Sequence, residues 1–138
     1  MNNVQVLFGV SGIKDAYGES LKEKDLSIMC LSEKYPDVIG DFFDKTFSPK
    51  LYGSKINTRE ILPDNKANRD YAQNKDQRKN QVRFIKNNLS SESDMILSFN
   101  KVVLISYDLN NPLAVVITDQ ELVNGFRAQF EALWGKLV

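Results

Sequence analysis

The 138-residue chain contains no histidine. That absence removes the commonest general acid and base, the usual neutral metal ligand, and every Ser-His or Cys-His nucleophile pair. Only carboxylate chemistry survives as a catalytic option. Cysteine is nearly absent as well. A single Cys30 excludes a disulfide scaffold and a cysteine-built metal site. It lies in the apolar run Leu26-Ser27-Ile28-Met29-Cys30-Leu31 and reads as a small buried hydrophobe. No run of about 18 apolar residues exists, so no membrane span is expected. A targeting signal is missing too, because the run Val4 to Val10 is short, is interrupted by Gln5 and has no basic residue before it. A cytoplasmic location follows as the expectation. Lys plus Arg and Asp plus Glu number 18 each, so no global field draws the chain onto a nucleic-acid backbone or an anionic membrane.

What is present suits one domain spanning residues 1–138, long enough to bury roughly 70% of its unfolded surface around one core. Val4 to Val10 has the content of a first strand, and Ser11-Gly12 supplies a turn before Ile13, Ala16, Tyr17 and Leu21 recur at helical spacing. Asp25 to Leu31 reads as a second strand. Tyr35-Pro36 then opens a helix whose Val38, Ile39, Phe42, Phe43 and Phe47 form a core-facing stripe. Lys55 to Leu62 is a third strand, with Asn57, Arg59 and Ile61 alternating against Ile56, Thr58, Glu60 and Leu62 until Pro63-Asp64 ends it. Residues 64 to 81 are almost wholly polar, and their mixed signs favour a solvated helix or loop over a phosphate-binding patch, which would want net positive charge interleaved with aromatics; a mobile lid over a site is the functional alternative.

Gln81 to Ile85 is a short fourth strand, and a polar linker follows over 87 to 93. The segment DMILSFNKVVLISYD, residues 94 to 108, folds back on itself at Phe99-Asn100-Lys101. Val102 to Ile105 is apolar on both alternating faces, which predicts a strand covered on both sides. Pro112 precedes a further strand, Leu113 to Thr118. Thr118-Asp119-Gln120-Glu121 is a capping box, after which Leu122, Phe126, Phe130, Leu133 and Leu137 share one helical face with Trp134 beside them. Strands alternating with helices favour a layered α/β domain, a mixed but mostly parallel sheet flanked by helices.

The hairpin ILSFNKVVLISYD, the strand LAVVITD and the helix QELVNGFRAQFEALW resemble the end of a phospholipase D-type half-domain. They resemble more closely the C-terminal effector domain of TrmB-like transcriptional regulators, built on that same fold. Upstream, REILPDNKANRDYAQ at 59 to 73 and QVRFIK at 81 to 86 are similar to the corresponding strand, polar helix and strand. The resemblance implies a single phospholipase D-like half-domain, and its departures bear on function. The enzymes' histidine, lysine and aspartate positions fall at about Ser93, Met95 and Asn100, so a phosphohistidine step has no nucleophile. The regulators pair this domain with a winged helix-turn-helix that binds DNA, and respond to sugars or other small metabolites. Residue 4 already begins the first strand, so the expectation is a standalone sensor or a piece cut at a domain boundary.

The leading expectation is therefore a non-catalytic sensing domain for a small-molecule effector such as a sugar, with no cofactor and with DNA bound only through a separate helix-turn-helix domain. Ligands of open α/β sheets sit at the carboxyl ends of the parallel strands. That rule nominates Ser11 and Gly12 after the first strand, Ser32 and Glu33 after the second, and Ser106 and Tyr107 after the hairpin. The alternative is an oligomerisation or protein-interaction module, a homodimer with Phe99, Tyr107 and Trp134 at its centre. A carboxylate hydrolase is the third option, for which Glu19, Asp25, Glu33, Asp37, Glu60 and Asp64 are available without a spacing that marks a catalytic pair.

Overall fold

The computed structural model describes residues 3–86 and 91–138, so the start of the expected polar linker, 87–90, lies outside the described residues. The chain runs β1 (Val4–Phe8), α1 (Gly9–Ser20), β2 (Asp25–Cys30), α2 (Tyr35–Ile39), a π-helical turn (Phe43–Phe47), α3 (Ser48–Tyr52), β3 (Asn57–Pro63) and α4 (Lys66–Gln73). It continues through β4 (Asn80–Ile85), β5 (Ser93–Leu97), β6 (Val102–Ser106), β7 (Leu113–Ile117) and α5 (Gln120–Trp134). All seven strands join one sheet in the order β1-β7-β6-β5-β2-β3-β4.

The layered α/β class holds, but the sheet is mostly antiparallel. Only β2 with β3 and β3 with β4 pair in parallel, whereas β1·β7, β7·β6, β6·β5 and β5·β2 are antiparallel. The alternation of strands and helices does point β1, β2, β3, β4 and β6 the same way. The oppositely directed β5 and β7 then slip between them, because β1 crosses to the far edge instead of pairing with β2. Connection order alone therefore misjudged the neighbours.

Helices α1 to α3 and the π-helical turn cover one face, where Ile13, Tyr17, Leu26, Ile28, Phe47, Leu51, Ile96 and Ile105 form a core. Helix α5 covers part of the other face with Val123, Phe130 and Trp134 over Ile61, Leu97, Val102 and Ile117. As its two apolar faces predict, β6 is buried at Val102, Val103 and Ile105, with Leu104 and the terminal Ser106 half-covered.

Several local expectations shift. The first strand stops at Phe8, and Gly9, at φ 76°, turns the chain directly into α1. Ser11-Gly12 is thus helix and not a turn. A Cβ on Gly12 would lie 2.5 Å from the carbonyl carbon and oxygen of Leu7, so only glycine lets α1 pass this close to β1. The helix expected from Tyr35 is broken at Gly40, φ 60°, into α2, the π-helical turn and α3, yet it still buries Ile39 and Phe47. Helix α5 is capped by Asp119, whose Oδ1 accepts from the Leu122 N–H at 3.0 Å, and not by Thr118. Its buried stripe is Val123, Phe130 and Trp134, while Leu122 is 48% exposed.

Candidate functional site

A cleft of about 330 Å³ opens where β2 and β3 end and β5 begins, on the sheet face that carries α1. Helix α4 forms one wall through Ala67, Asn68 and Tyr71, continued by Lys75; Tyr35, Phe43, Asp44 and Ser48 form the other. Its floor is Cys30, Glu60 and Asp94, with Ser32, Leu62 and Tyr17 beside them.

The two floor carboxylates are the unusual feature. Glu60 is 2% exposed and Asp94 is 6% exposed. Burying a charge is costly unless hydrogen bonds replace its water, and the sequence supplies them. Tyr52 donates to Glu60 Oε1 at 2.8 Å, and Tyr71 approaches both Glu60 oxygens at 3.0 and 3.2 Å. Asp94 Oδ1 accepts from the Ser32 backbone N–H at 3.1 Å and from Ser32 Oγ at 2.8 Å. Burial nevertheless dominates: it raises both carboxylates above their ordinary values, against the opposing pull of those donors. Burial, reinforced by Asp94, also holds the Cys30 thiol well above its usual value, which leaves it protonated and a poor nucleophile.

The aromatic walls are ordered by polar contacts. The Tyr17 and Tyr107 hydroxyls meet, as do those of Tyr52 and Tyr71. Tyr35 reaches Asp44 at 3.4 Å, and burial followed by Asp44 pushes its hydroxyl up to about 12. At the rim, the Lys75 ammonium sits 3.6 Å from the ring centre of Tyr52 and 4.4 Å from that of Tyr71. Desolvation lowers its pKa, partly offset by Glu60. Three carboxylates thus face one ammonium in a pocket with aromatic sides. That arrangement suits hydroxyl or ammonium donors and repels phosphates.

Of the residues nominated from sequence, Ser32 lines this cleft and orients Asp94. Tyr107 lies behind it, 3% exposed, against Tyr17. Glu33 is exposed, and it is its backbone N–H, paired with the Glu92 carboxylate at 3.0 Å, that takes part in local structure. Ser11 is exposed on α1 and Gly12 is packed against β1, both outside the cleft lining. Ser106 lies on the opposite sheet face. The pairing candidates separate too: Phe99 is 81% exposed, whereas Tyr107 and Trp134 are buried in the core and cannot form a docking surface. Glu60 is the other correction, since it is a buried floor group and not one of the scattered surface carboxylates. Its row-mates Ile56, Thr58 and Leu62 carried the signal, a carboxylate on the inward face of an alternating strand.

Ser93 and Met95, where the phospholipase D resemblance puts histidine and lysine, line the opposite face with Met29, Leu31, Leu104, Ser106, Leu113 and Val115. These residues are half-buried, because α5 covers only the lower part of that face. Among the described residues, no group of three His, Cys, Asp or Glu is placed to hold a metal ion, and no helix is long and apolar enough to cross a membrane.

The sheet, its helical layers and the hairpin together define a phospholipase D-like fold. Three solved structures carry that assignment. The chain superposes on TrmBL2, an archaeal chromatin protein described as showing a novel mode of DNA binding, with a TM-score of 0.62 and 18% identity, over 99% of this chain and 53% of that one. NucT from Helicobacter pylori gives 0.66 and 11% over 98% and 97% of the two chains. Nuc from Salmonella typhimurium, a phospholipase D family member, gives 0.62 and 16% over 98% and 95%. The chain thus spans about half the length of TrmBL2 and nearly all of the other two. No protein-family model and no curated protein sequence matches it.

Proposed function

We propose that this chain is a non-catalytic, cytoplasmic ligand-sensing domain of a transcriptional regulator, and that its effector occupies the cleft above Glu60 and Asp94. The observation that carries the reading is a pair of buried, hydrogen-bonded carboxylates on the floor of an open cleft with tyrosine walls. A fold maintains two desolvated charges at an opening only at a cost in stability. A ligand that replaces their lost water with hydroxyl or ammonium donors recovers that cost. Sugars and small amino-bearing metabolites fit, whereas nucleotides and sugar phosphates meet the same charge sign. The missing histidine, and Ser93, Met95 and Asn100 at the positions of the enzymes' catalytic groups, favour sensing over hydrolysis. Operator recognition would rest with a separate winged helix-turn-helix.

The test is a thermal-shift titration against mono- and disaccharides, small amines, nucleotides and sugar phosphates. A ligand at a hundred times its Kd adds about 2.7 kcal/mol to the folded state. With an unfolding entropy of about 2.1 cal/mol/K per residue, this is a rise of about 9 °C. A saturating shift for one uncharged or cationic class, lost in Asp94→Asn, supports the proposal. A flat response across the panel at millimolar concentration refutes it.

A second reading, a homodimer, is favoured by the half-covered strip Met29, Leu31, Met95, Leu104, Leu113 and Val115. Apolar side chains left on a sheet face are the ordinary material of a C2 interface. Sedimentation at tens of micromolar would show a dimer that Leu104→Glu dissociates; a monomer throughout removes this reading.

A further inference from the structure

A second concavity, of about 790 Å³, lies at the opposite end of the sheet from the acidic cleft and has the opposite charge. It crosses the starts of β2, β3 and β4 and the end of β5. Its lining carries Lys22, Lys24, Arg59, Arg78, Lys79 and Arg127 against only Glu23 and Asp25. The chain as a whole is neutral, yet six of its 18 Lys and Arg residues line this one groove. Phe99 stands at the margin of the groove, 81% exposed, on the β5–β6 turn.

The cations divide into two sets. Three are held in place: Arg59 pairs with Glu131 (Nη1 to Oε2, 3.0 Å) while lying 5.2 Å from the Phe130 ring centre, Lys79 donates to the Tyr52 carbonyl at 2.9 Å, and Arg127 donates to the Ser98 and Phe99 carbonyls at 2.6 and 3.0 Å. Arg127 therefore also fixes the turn that presents Phe99. The other three are exposed, and two of them project freely. Lys24 and Arg78 are exposed and, among the described residues, have no carboxylate within 4.0 Å, and Lys22 meets only the exposed Glu19.

We infer that this groove binds the backbone of a single-stranded nucleic acid, with Phe99 stacking on a base. A net positive groove interleaved with an exposed aromatic ring is the arrangement that tracks phosphates while offering a face to any base. Four adjacent strand ends at about 4.8 Å spacing make the floor about 14 Å wide. That width accommodates three to four nucleotides at the stacked rise of about 3.4 Å. Neutral composition excludes a long-range field but not this local one. The site goes beyond effector sensing and is independent of it, since it uses the other end of the sheet.

The experiment is fluorescence anisotropy of a labelled twelve-nucleotide oligothymidylate titrated with the full chain between 20 and 200 mM NaCl. About three phosphate contacts give a log Kd against log salt slope of magnitude about 2. Lys24→Glu combined with Arg78→Glu should weaken binding at least tenfold at 50 mM salt. Phe99→Ala should weaken it roughly tenfold with the slope unchanged. All three positions are exposed, and an unaltered melting temperature shows that the fold survives. Absence of binding at 20 mM salt, or equal binding by the double variant, overturns the inference. So does a labelled oligoglutamate that binds as tightly and ignores Phe99→Ala, which would identify an acidic peptide as the partner.

Discussion

Replacing Tyr71 by phenylalanine removes one hydroxyl and leaves the ring, the packing of α4 and the hydrogen bond from Tyr52 to Glu60 in place. The lost group approaches both oxygens of Glu60, at 3.0 and 3.2 Å, and Glu60 is 2% exposed, so water does not simply take its place. A hydrogen bond to a charged buried group is worth about 1.5–3 kcal/mol, so about 2 kcal/mol is expected at pH 7.5. With an unfolding entropy of about 2.1 cal/mol/K per residue, the melting temperature should fall by about 7 °C. The pH dependence has a definite sign. Burial raises Glu60 above its ordinary 4.5, and the Tyr71 hydrogen bond opposes that rise. Without the hydroxyl, Glu60 holds its proton to a still higher pH in the folded state. The folded variant then binds more protons than the folded wild type through that window, and loses stability more steeply as pH rises. The deficit should be about 2 kcal/mol at pH 7.5 and shrink toward pH 4, where the carboxyl is protonated in both proteins. Urea unfolding, followed by the fluorescence of the single, buried Trp134, measures it at each pH. In a Glu60→Gln background, where a neutral hydrogen bond can remain, the Tyr71→Phe deficit should fall to about 1 kcal/mol or less and lose its pH dependence. A deficit independent of pH, or one unchanged in that background, would refute a charged Glu60 held by Tyr71.

Four other outcomes follow. Because an amide oxygen at position 94 could still accept both Ser32 hydrogen bonds, Asp94→Asn removes a desolvated charge at little structural cost, and it should stabilise the chain by on the order of 1 kcal/mol at pH 7.5. That gain should close as pH falls, since the stability tied to a carboxyl of raised pKa is present below its unfolded value and lost as pH rises through the folded one; melting temperatures across a pH series test this. Gly12→Ala should cost about 2 kcal/mol by calorimetry despite the better helix propensity of alanine, because the new methyl meets Leu7 backbone. Val123→Ala should cost about 2 kcal/mol in urea unfolding and Leu122→Ala under about 0.5, reversing the order that the apolar pattern suggests. Asp119→Ala should cost about 1 kcal/mol and Thr118→Ala almost nothing, as read from the melting temperature.

Elements were legible wherever one physical signal was strong and local. The hairpin at Phe99-Asn100-Lys101, the doubly buried β6 and the strand-helix end of the chain follow from apolar period and turn chemistry, and the structure places them within a residue or two. Neighbour choice was not legible, because no local feature of Val4 to Phe8 records that its partner is β7, over a hundred residues away. On α5 the expected stripe holds except at its first position: Phe130 is buried and Phe126, Leu133 and Leu137 pack against it beside Trp134, whereas Leu122 is exposed and Val123 is buried in its place. Leu122 and Val123 both fit helical spacing, and only the sheet beneath decides which of the two turns inward. The cleft was half visible. Ser32 was found from the rule about strand ends, but Asp94 sits at the start of an antiparallel strand, where that rule does not look. Tyr71 and Lys75 come from the polar segment 64–81, whose solvated composition conceals the one face that reaches the floor.

Equal numbers of acidic and basic residues argue only about the field at a distance beyond the Debye length, about 8 Å at physiological ionic strength. Within that distance the arrangement of the charges decides. Here the five strands of common direction give the sheet two chemically distinct ends. At one, Glu60 and Asp94 enter from β3 and β5 and Asp44 from the π-helical turn, with Lys75 their one cationic neighbour in the cleft. At the other, the α1–β2 loop, the start of β3 and the approach to β4 bring Lys22, Lys24, Arg59, Arg78 and Lys79 together. On the two readings proposed above, the first end would disfavour phosphates and the second would attract them, and ammonium donors would prefer the first. A single neutral domain can therefore discriminate two ligands by charge without either site competing for the other's partner. If both proposals hold, effector occupancy and nucleic-acid affinity would be separately measurable, and any coupling between them would have to travel through β2 and β3, the strands both sites share.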